Sequence, residues 1–146
     1  MHRDDAGGPI RWKLHLPVSI EAVYRALATD DGRASFWAER AIEKDGIIHF
    51  TFSNGATHES PILEREPHHR FSLEYFGGPA SFVLAPDGRG GTDLTLVHDA
   101  VPPGEWIATH AGWLNVLFPL KARLAFGVDL RNHDRERLWD DGYADG

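Results

Sequence analysis

The stretch Gly112 to Leu124 is the one long apolar segment with helical spacing in this chain of 146 residues, and it follows a series of short strand-like runs. A helix that comes last after strands is laid across the sheet they form, because each apolar face must be covered by another layer. A curved sheet gripping such a helix encloses a space. The functional question is what that space holds.

The strand runs are legible from alternation and turn residues. In Pro9 to Leu16, Ile10, Trp12, Leu14 and Leu16 share one side, the pattern of a half-buried strand. Pro17 ends it, Ser19 is a helix cap, and Ile20, Val23, Tyr24 and Leu27 recur at helical spacing. Asp30-Asp31-Gly32 reads as a break, followed by a short helix from Gly32 to Trp37 that buries Phe36 and Trp37. Asp45-Gly46 and Asn54-Gly55 are hairpin dipeptides suited to type I′ turns. Gly77-Gly78 and the run 87–91 are further breaks. Strand-length runs lie at Ile47 to Phe52, Ala56 to Glu66, Phe71 to Tyr75, Ser81 to Ala85 and Thr92 to His98. Pro102 and Pro103 can open a helix without losing a needed donor. Trp106, His110, Trp113, Leu117 and Leu124 continue it, Pro119 is expected to kink or split it, and Gly127 to stop it.

Composition narrows the class. The length suits one domain, and the chain has no cysteine, so neither a disulfide nor a thiolate nucleophile exists. The formal net charge is −7, which disfavours a nucleic-acid backbone or an anionic membrane as partner. Met1 to Gly8 is polar and reads as a disordered arm without a secretory apolar region. The longest apolar window is about half the ~20 residues of a membrane span. A cytoplasmic location is the expectation.

Four segments in order carry a family resemblance. They are Pro17 to Leu27 in the first helix, Phe36-Trp37 after the second, Gly91 to Leu96 in the last strand, and Gly112-Trp113 with Leu117, Leu120 and Lys121 in the final helix. Together they resemble the START-like helix-grip superfamily, and within it the branch named after the activator of the heat-shock-protein ATPase. The resemblance covers about Pro9 to Phe126. It implies an α+β fold: a seven-stranded curved antiparallel sheet around a long C-terminal helix, with two short helices after the first strand and a deep cavity between sheet and helix. The superfamily includes lipid and polyketide binders, hormone receptors, some cyclases and hydrolases, and chaperone activators. It has no universal catalytic motif, so the resemblance brings no catalytic residue. The chain divides into an arm at 1–8, the domain at 9–126, and a polar tail at 127–146. Leu130, Trp139 and Tyr143 make that tail a segment that docks on the domain or on a dimer partner.

The inward positions supply the candidate ligand-binding residues: Trp37, Phe50, Phe52, Tyr75, Leu96, His98, His110, Trp113 and Leu117. Trp37 is expected at the mouth. Trp37, Phe50, Tyr75 and Trp113 would supply apolar area, and His98 and His110, on elements expected to oppose each other, would orient a ligand. Plain core packing competes for each residue, and a core histidine bonded to a carbonyl competes for both imidazoles. The nine histidines show no HxH or HxxxH spacing, so neither a metal site nor a cofactor is expected. The leading function is binding of a small apolar or amphipathic molecule between sheet and helix, without established catalysis. The alternatives are a hydrolase or cyclase with a buried histidine base, and a chaperone-regulating or other protein-interaction module, with a homodimer among its forms.

Overall fold

The structure, a computed structural model, describes residues 8–146; the arm at 1–8 therefore lies almost wholly outside the described residues. Seven strands form one antiparallel sheet: β1 (Ile10–Leu16), β2 (Arg40–Lys44), β3 (Ile47–Thr51), β4 (Thr57–Glu66), β5 (Arg70–Tyr75), β6 (Gly78–Pro86) and β7 (Thr92–His98). Their order across the sheet is β1-β7-β6-β5-β4-β3-β2. Strands β2 to β7 form a meander, and β1 joins its far edge, pairing Ile10 with His98 and Leu16 with Thr92. The helices α1 (Ile20–Ala28) and α2 (Asp30–Ala34) carry the chain from one edge of the sheet to the other. A register shift between Ile62 and Glu64 interrupts the β4–β5 ladder, and such irregularities bend the strand that carries them.

The turns follow from residue type. Asp45 and Gly46 both have positive φ (53° and 80°), as a two-residue type I′ hairpin requires. Strand β2 before this turn has too few apolar residues to stand out by alternation. At Asn54-Gly55 only the glycine has positive φ (86°). The Phe52 amide donates to Ala56 O and the Gly55 amide to Phe52 O. This hairpin is a three-residue loop with a glycine bulge, and not the type I′ turn expected. At Gly78 a Cβ would lie 2.0 Å from Asp99 O, so only glycine lets β6 start beneath that carbonyl.

Helix α1 is capped by Ser19 Oγ, which accepts from the Ala22 amide at 3.2 Å. Helix α2 begins earlier than its sequence pattern implies. Thr29 ends α1 and also caps α2 by accepting from the Gly32 amide at 3.0 Å. Asp30 and Asp31 are thus the first turn of a helix, where acidic side chains are favoured by the helix dipole, and not a break.

The C-terminal helical run consists of a 3₁₀ turn at Pro103–Glu105, α3 (Trp106–Gly112) and α4 (Leu114–Phe126). The interruption falls at Trp113, where the Val116 amide donates to Trp113 O, and α4 continues through Pro119. The proline ring clashes with the carbonyl four residues back, so the disturbance lies in the turn before it. Gly127 (φ 67°) closes α4 with the bonds Gly127 N to Arg123 O and Val128 N to Ala122 O, a left-handed glycine cap.

The core lies between the concave face of the sheet and these helices. It contains Phe36, Trp37, Phe50, Phe71, Leu73, Phe82, Leu94, Leu96, Trp113, Leu117 and Leu120. Among the described residues one charged side chain is wholly inside. Arg33 of α2 is 0% exposed, and donates from Nε to Ala41 O (3.1 Å), from Nη1 to Leu27 O (3.0 Å) and from Nη2 to Asp30 Oδ1 (2.6 Å). It ties both helices to β2. Replacing it leaves two carbonyls unpaired in an apolar setting. Arg33→Leu is therefore expected to lower unfolding stability by about 3 kcal/mol, measured by urea denaturation; an unchanged midpoint would contradict this role.

Candidate functional site

Trp37 follows α2 and lies at the centre of an aromatic cluster. Its ring centroid is 5.1 Å from Phe50, 5.5 Å from Tyr75, 5.5 Å from Phe82 and 6.0 Å from Trp113. A chain of hydrogen bonds runs through the cluster. Trp113 Nε1 donates to His98 Nδ1 (3.0 Å), His98 Nε2 is 2.8 Å from the Tyr75 carbonyl, and Trp37 Nε1 donates to the Tyr75 hydroxyl (3.1 Å). An indole nitrogen only donates and a carbonyl only accepts. The His98 proton is therefore on Nε2, and its Nδ1 lone pair is occupied. Burial holds the His98 pKa below its ordinary value, against the pull of its carbonyl partners. His98 is thus a neutral, two-sided link, with no free lone pair to act as a base.

His110 lies elsewhere. Its ring is sandwiched between Trp12 (centroids 4.5 Å, 29° between planes) and Trp106 (4.8 Å, 11°). Its carbonyl accepts from Trp12 Nε1 at 3.0 Å. It fastens α3 to the β1 edge and does not oppose His98. Phe50, Leu96, Trp113 and Leu117 are packed core, none more than 2% exposed.

The open space is at one end of the sheet–helix layer. A cavity of about 220 Å³ is lined by Trp37, Phe52 and Tyr75 on its aromatic side. Gly112, Asn115 and Val116 line it from the helical run. Ser53 and Asn54 of the β3–β4 loop form part of its polar rim, together with Glu39. Its remaining wall comes from the tail: Arg131, His133, Leu138, Trp139, Asp140 and Gly146. Of the nine residues expected from sequence, Trp37, Phe52 and Tyr75 border this space. The tail, expected from sequence as a docking segment, supplies six of the lining residues, none of which is among those nine.

Arg131 anchors that tail. Its guanidinium meets Asp129 through Nε to Oδ1 (2.9 Å) and Nη2 to Oδ2 (3.0 Å). It also donates to Ala38 O and Ala34 O, each at 2.9 Å. His133 sits between two carboxylates, with Nδ1 2.5 Å from Glu39 Oε2 and Nε2 2.8 Å from Asp129 Oδ2. Both ring nitrogens can donate only when the ring is protonated. The bond to Asp129, aided by Glu39, holds the His133 pKa above its ordinary value. Partial burial pushes Asp129 upward, but the bonds from Arg131 and His133 outweigh it and leave its carboxyl well below the usual range. Among the described residues no cluster of three or more His, Cys, Asp or Glu side chains could hold a metal ion, and no helix is long and apolar enough to cross a membrane.

The two histidines affect stability in opposite directions. His133 binds its proton more tightly when folded; its contribution is complete below the unfolded value of about 6.5 and is lost as pH rises through its higher folded value. His98 binds its proton less tightly when folded; its contribution is complete above about 6.5 and is lost as pH falls below that. His133→Gln is therefore expected to melt below the unsubstituted protein at about pH 6, with the gap narrowing toward about pH 9. Thermal melts across that range would check this, and a gap independent of pH would contradict it.

Comparison with known proteins fits this architecture. Residues 17–125 match the family model described as activator of Hsp90 ATPase homolog 1-like protein. No curated protein matches the chain. A crystal structure of a Staphylococcus saprophyticus protein superposes with a TM-score of 0.75 at 21% identity, over 84% of this chain and 96% of that one. The Aha1 dimer from Colwellia psychrerythraea gives 0.72 at 23% identity, over 82% and 97%. DynU16, a protein of the dynemicin biosynthetic locus, gives 0.71 at 19% identity, over 87% and 49%. At these identities the structures speak for the fold alone. The family model covers most of the chain, and the chain belongs to the activator of Hsp90 ATPase homolog 1-like family.

Proposed function

We propose that this protein binds a small amphipathic molecule in the cavity bordered by Trp37, Phe52 and Tyr75 and covered by the tail. The observation that carries the reading is the combination of an aromatic floor with a polar rim in one half-open space of about 220 Å³. Ligand pockets have this construction: apolar area for burial and a few polar groups for orientation. The volume is below the ~300–1,000 Å³ of ordinary ligand sites, so the occupant has one or two rings rather than a long acyl chain. His98 supports binding over catalysis, because the hydrogen bond from Trp113 occupies the lone pair a general base needs.

The test uses 2-naphthol, a two-ring amphipathic probe. Titration is expected to shift the indole N–H resonance of Trp37. Trp106, whose Nε1 donates to Gly8 O away from the cavity, serves as internal control. Saturable movement of Trp37 with Trp106 unmoved supports the site. Equal movement of both resonances, or of neither, overturns it.

A second reading concerns self-association. Ile107 (75% exposed), Phe118 (54%) and Phe126 (73%) on the C-terminal helices are open to solvent. A groove of about 420 Å³ lies between Phe118, Pro119 and Leu114 of α4 and Leu130 and Trp139 of the tail. Exposed apolar groups of this kind mark interaction surfaces, and the Colwellia neighbour was solved as a dimer. We infer that a second copy covers this face. Light scattering is expected to give a dimer mass at micromolar concentration, reduced to the monomer in Phe118→Asp; a monomer before substitution rejects the pairing.

A further inference from the structure

The hydroxyl of Tyr75 carries a donor that is not used among the described residues. Trp37 Nε1 is 3.1 Å from that oxygen, and an indole N–H can only donate, so the tyrosine accepts. A phenol also has one proton to give. Among the described residues the contact from Trp37 is the one hydrogen bond this hydroxyl makes. The residue is only 8% exposed, and a buried donor left without an acceptor is costly. Burial also holds its pKa above the usual phenol value, so the proton stays in place at any ordinary pH. Trp37 and Tyr75 both border the cavity.

We propose that the Tyr75 O–H is the polar recognition point of the cavity, donating to an uncharged acceptor oxygen on the ligand. This rests on the cavity being the binding site and adds the chemical class: an aromatic or compact apolar body carrying a ketone, ester or ether oxygen. The indole fixes where the proton points. With one lone pair of the phenol oxygen held by Trp37, rotation about the C–O bond costs that contact, so the donor is aimed before the ligand arrives. The surroundings favour a neutral acceptor over a carboxylate. The ring of Tyr75 packs against Phe50, Trp113 and His98, and His98 is held neutral by burial. No cation touches the hydroxyl among the described residues, and the two cations of the cavity wall, Arg131 and His133, are already paired with Asp129 and Glu39, so a carboxylate at the hydroxyl would be desolvated without a counter-charge of its own.

The role differs from that of a core tyrosine. Removing the hydroxyl from a core tyrosine alters stability and nothing else. Removing it here alters the choice between ligands of the same shape.

The test compares acetophenone with α-methylstyrene, which has the same outline with a CH₂ group in place of the carbonyl oxygen. Dissociation constants come from the Trp37 indole N–H resonance. The unsubstituted protein is expected to prefer acetophenone by about fivefold to tenfold after correction for the transfer of each probe from water. Tyr75→Phe is expected to bind α-methylstyrene as before and to lose the preference. Equal corrected affinities in the unsubstituted protein overturn the Tyr75 assignment while leaving the cavity as the site. Failure of both probes to move Trp37 overturns the cavity as well. Retention of the preference in Tyr75→Phe also rejects the assignment. The comparison in the unsubstituted protein decides the matter should the variant fold poorly.

Discussion

The structure depends on the chain of buried hydrogen bonds from Trp113 through His98 and Tyr75 to Trp37. It links the junction of α3 and α4, the last strand, the central strand β5 and the segment after α2. Each donor in it would be expensive to bury alone. Each finds its acceptor on an element distant in sequence, so the bonds form only when helix, sheet and α2 are in their final places. Apolar packing brings those elements together without direction; the indoles and the imidazole define how they meet. The same chain explains why the interior beneath the helix is filled. Five large aromatic side chains, Trp37, Phe50, Tyr75, Phe82 and Trp113, and an imidazole occupy the middle, and the cavity opens where the aromatic floor ends.

That arrangement separates what the sequence reveals from what it conceals. Alternation in Ile10 to Leu16 and Thr92 to His98 marks strands whose inward residues are core. The meander and the covering helix follow from the order of the elements. Trp37, Phe52 and Tyr75 were legible as inward aromatics, and they border the cavity. His110 misled because helical periodicity places it on the same stripe as Trp113. The interruption at Trp113 and the lateral stacking on Trp12 and Trp106 turn its ring toward the β1 edge. Periodicity does not register where a helix is broken.

The tail was less legible. Asp129, Arg131 and His133 lie in what reads as a polar tail. The Asp129–Arg131 pair does form, but the carbonyls of Ala34 and Ala38 that receive the same guanidinium have no signature in sequence. Arg33 posed the same difficulty. It sits in a short polar segment, and its complete burial arises from two backbone carbonyls and one aspartate. Backbone acceptors are present at every residue, so a side chain recruited by them leaves no trace in residue type. The cavity wall built by such contacts was hidden for that reason.

The order of the strands bears on how the chain is made. Among the described residues strand β1 pairs only with β7, so the earliest strand of this sheet waits for its latest. Until β7 emerges, the edge of β1 and its apolar row of Ile10, Trp12, Leu14 and Leu16 have no lasting partner. Closure across so much intervening chain slows folding relative to neighbouring hairpins. The meander can zip up in sequence, while the amino-terminal strand is the segment most exposed to misassociation on the ribosome.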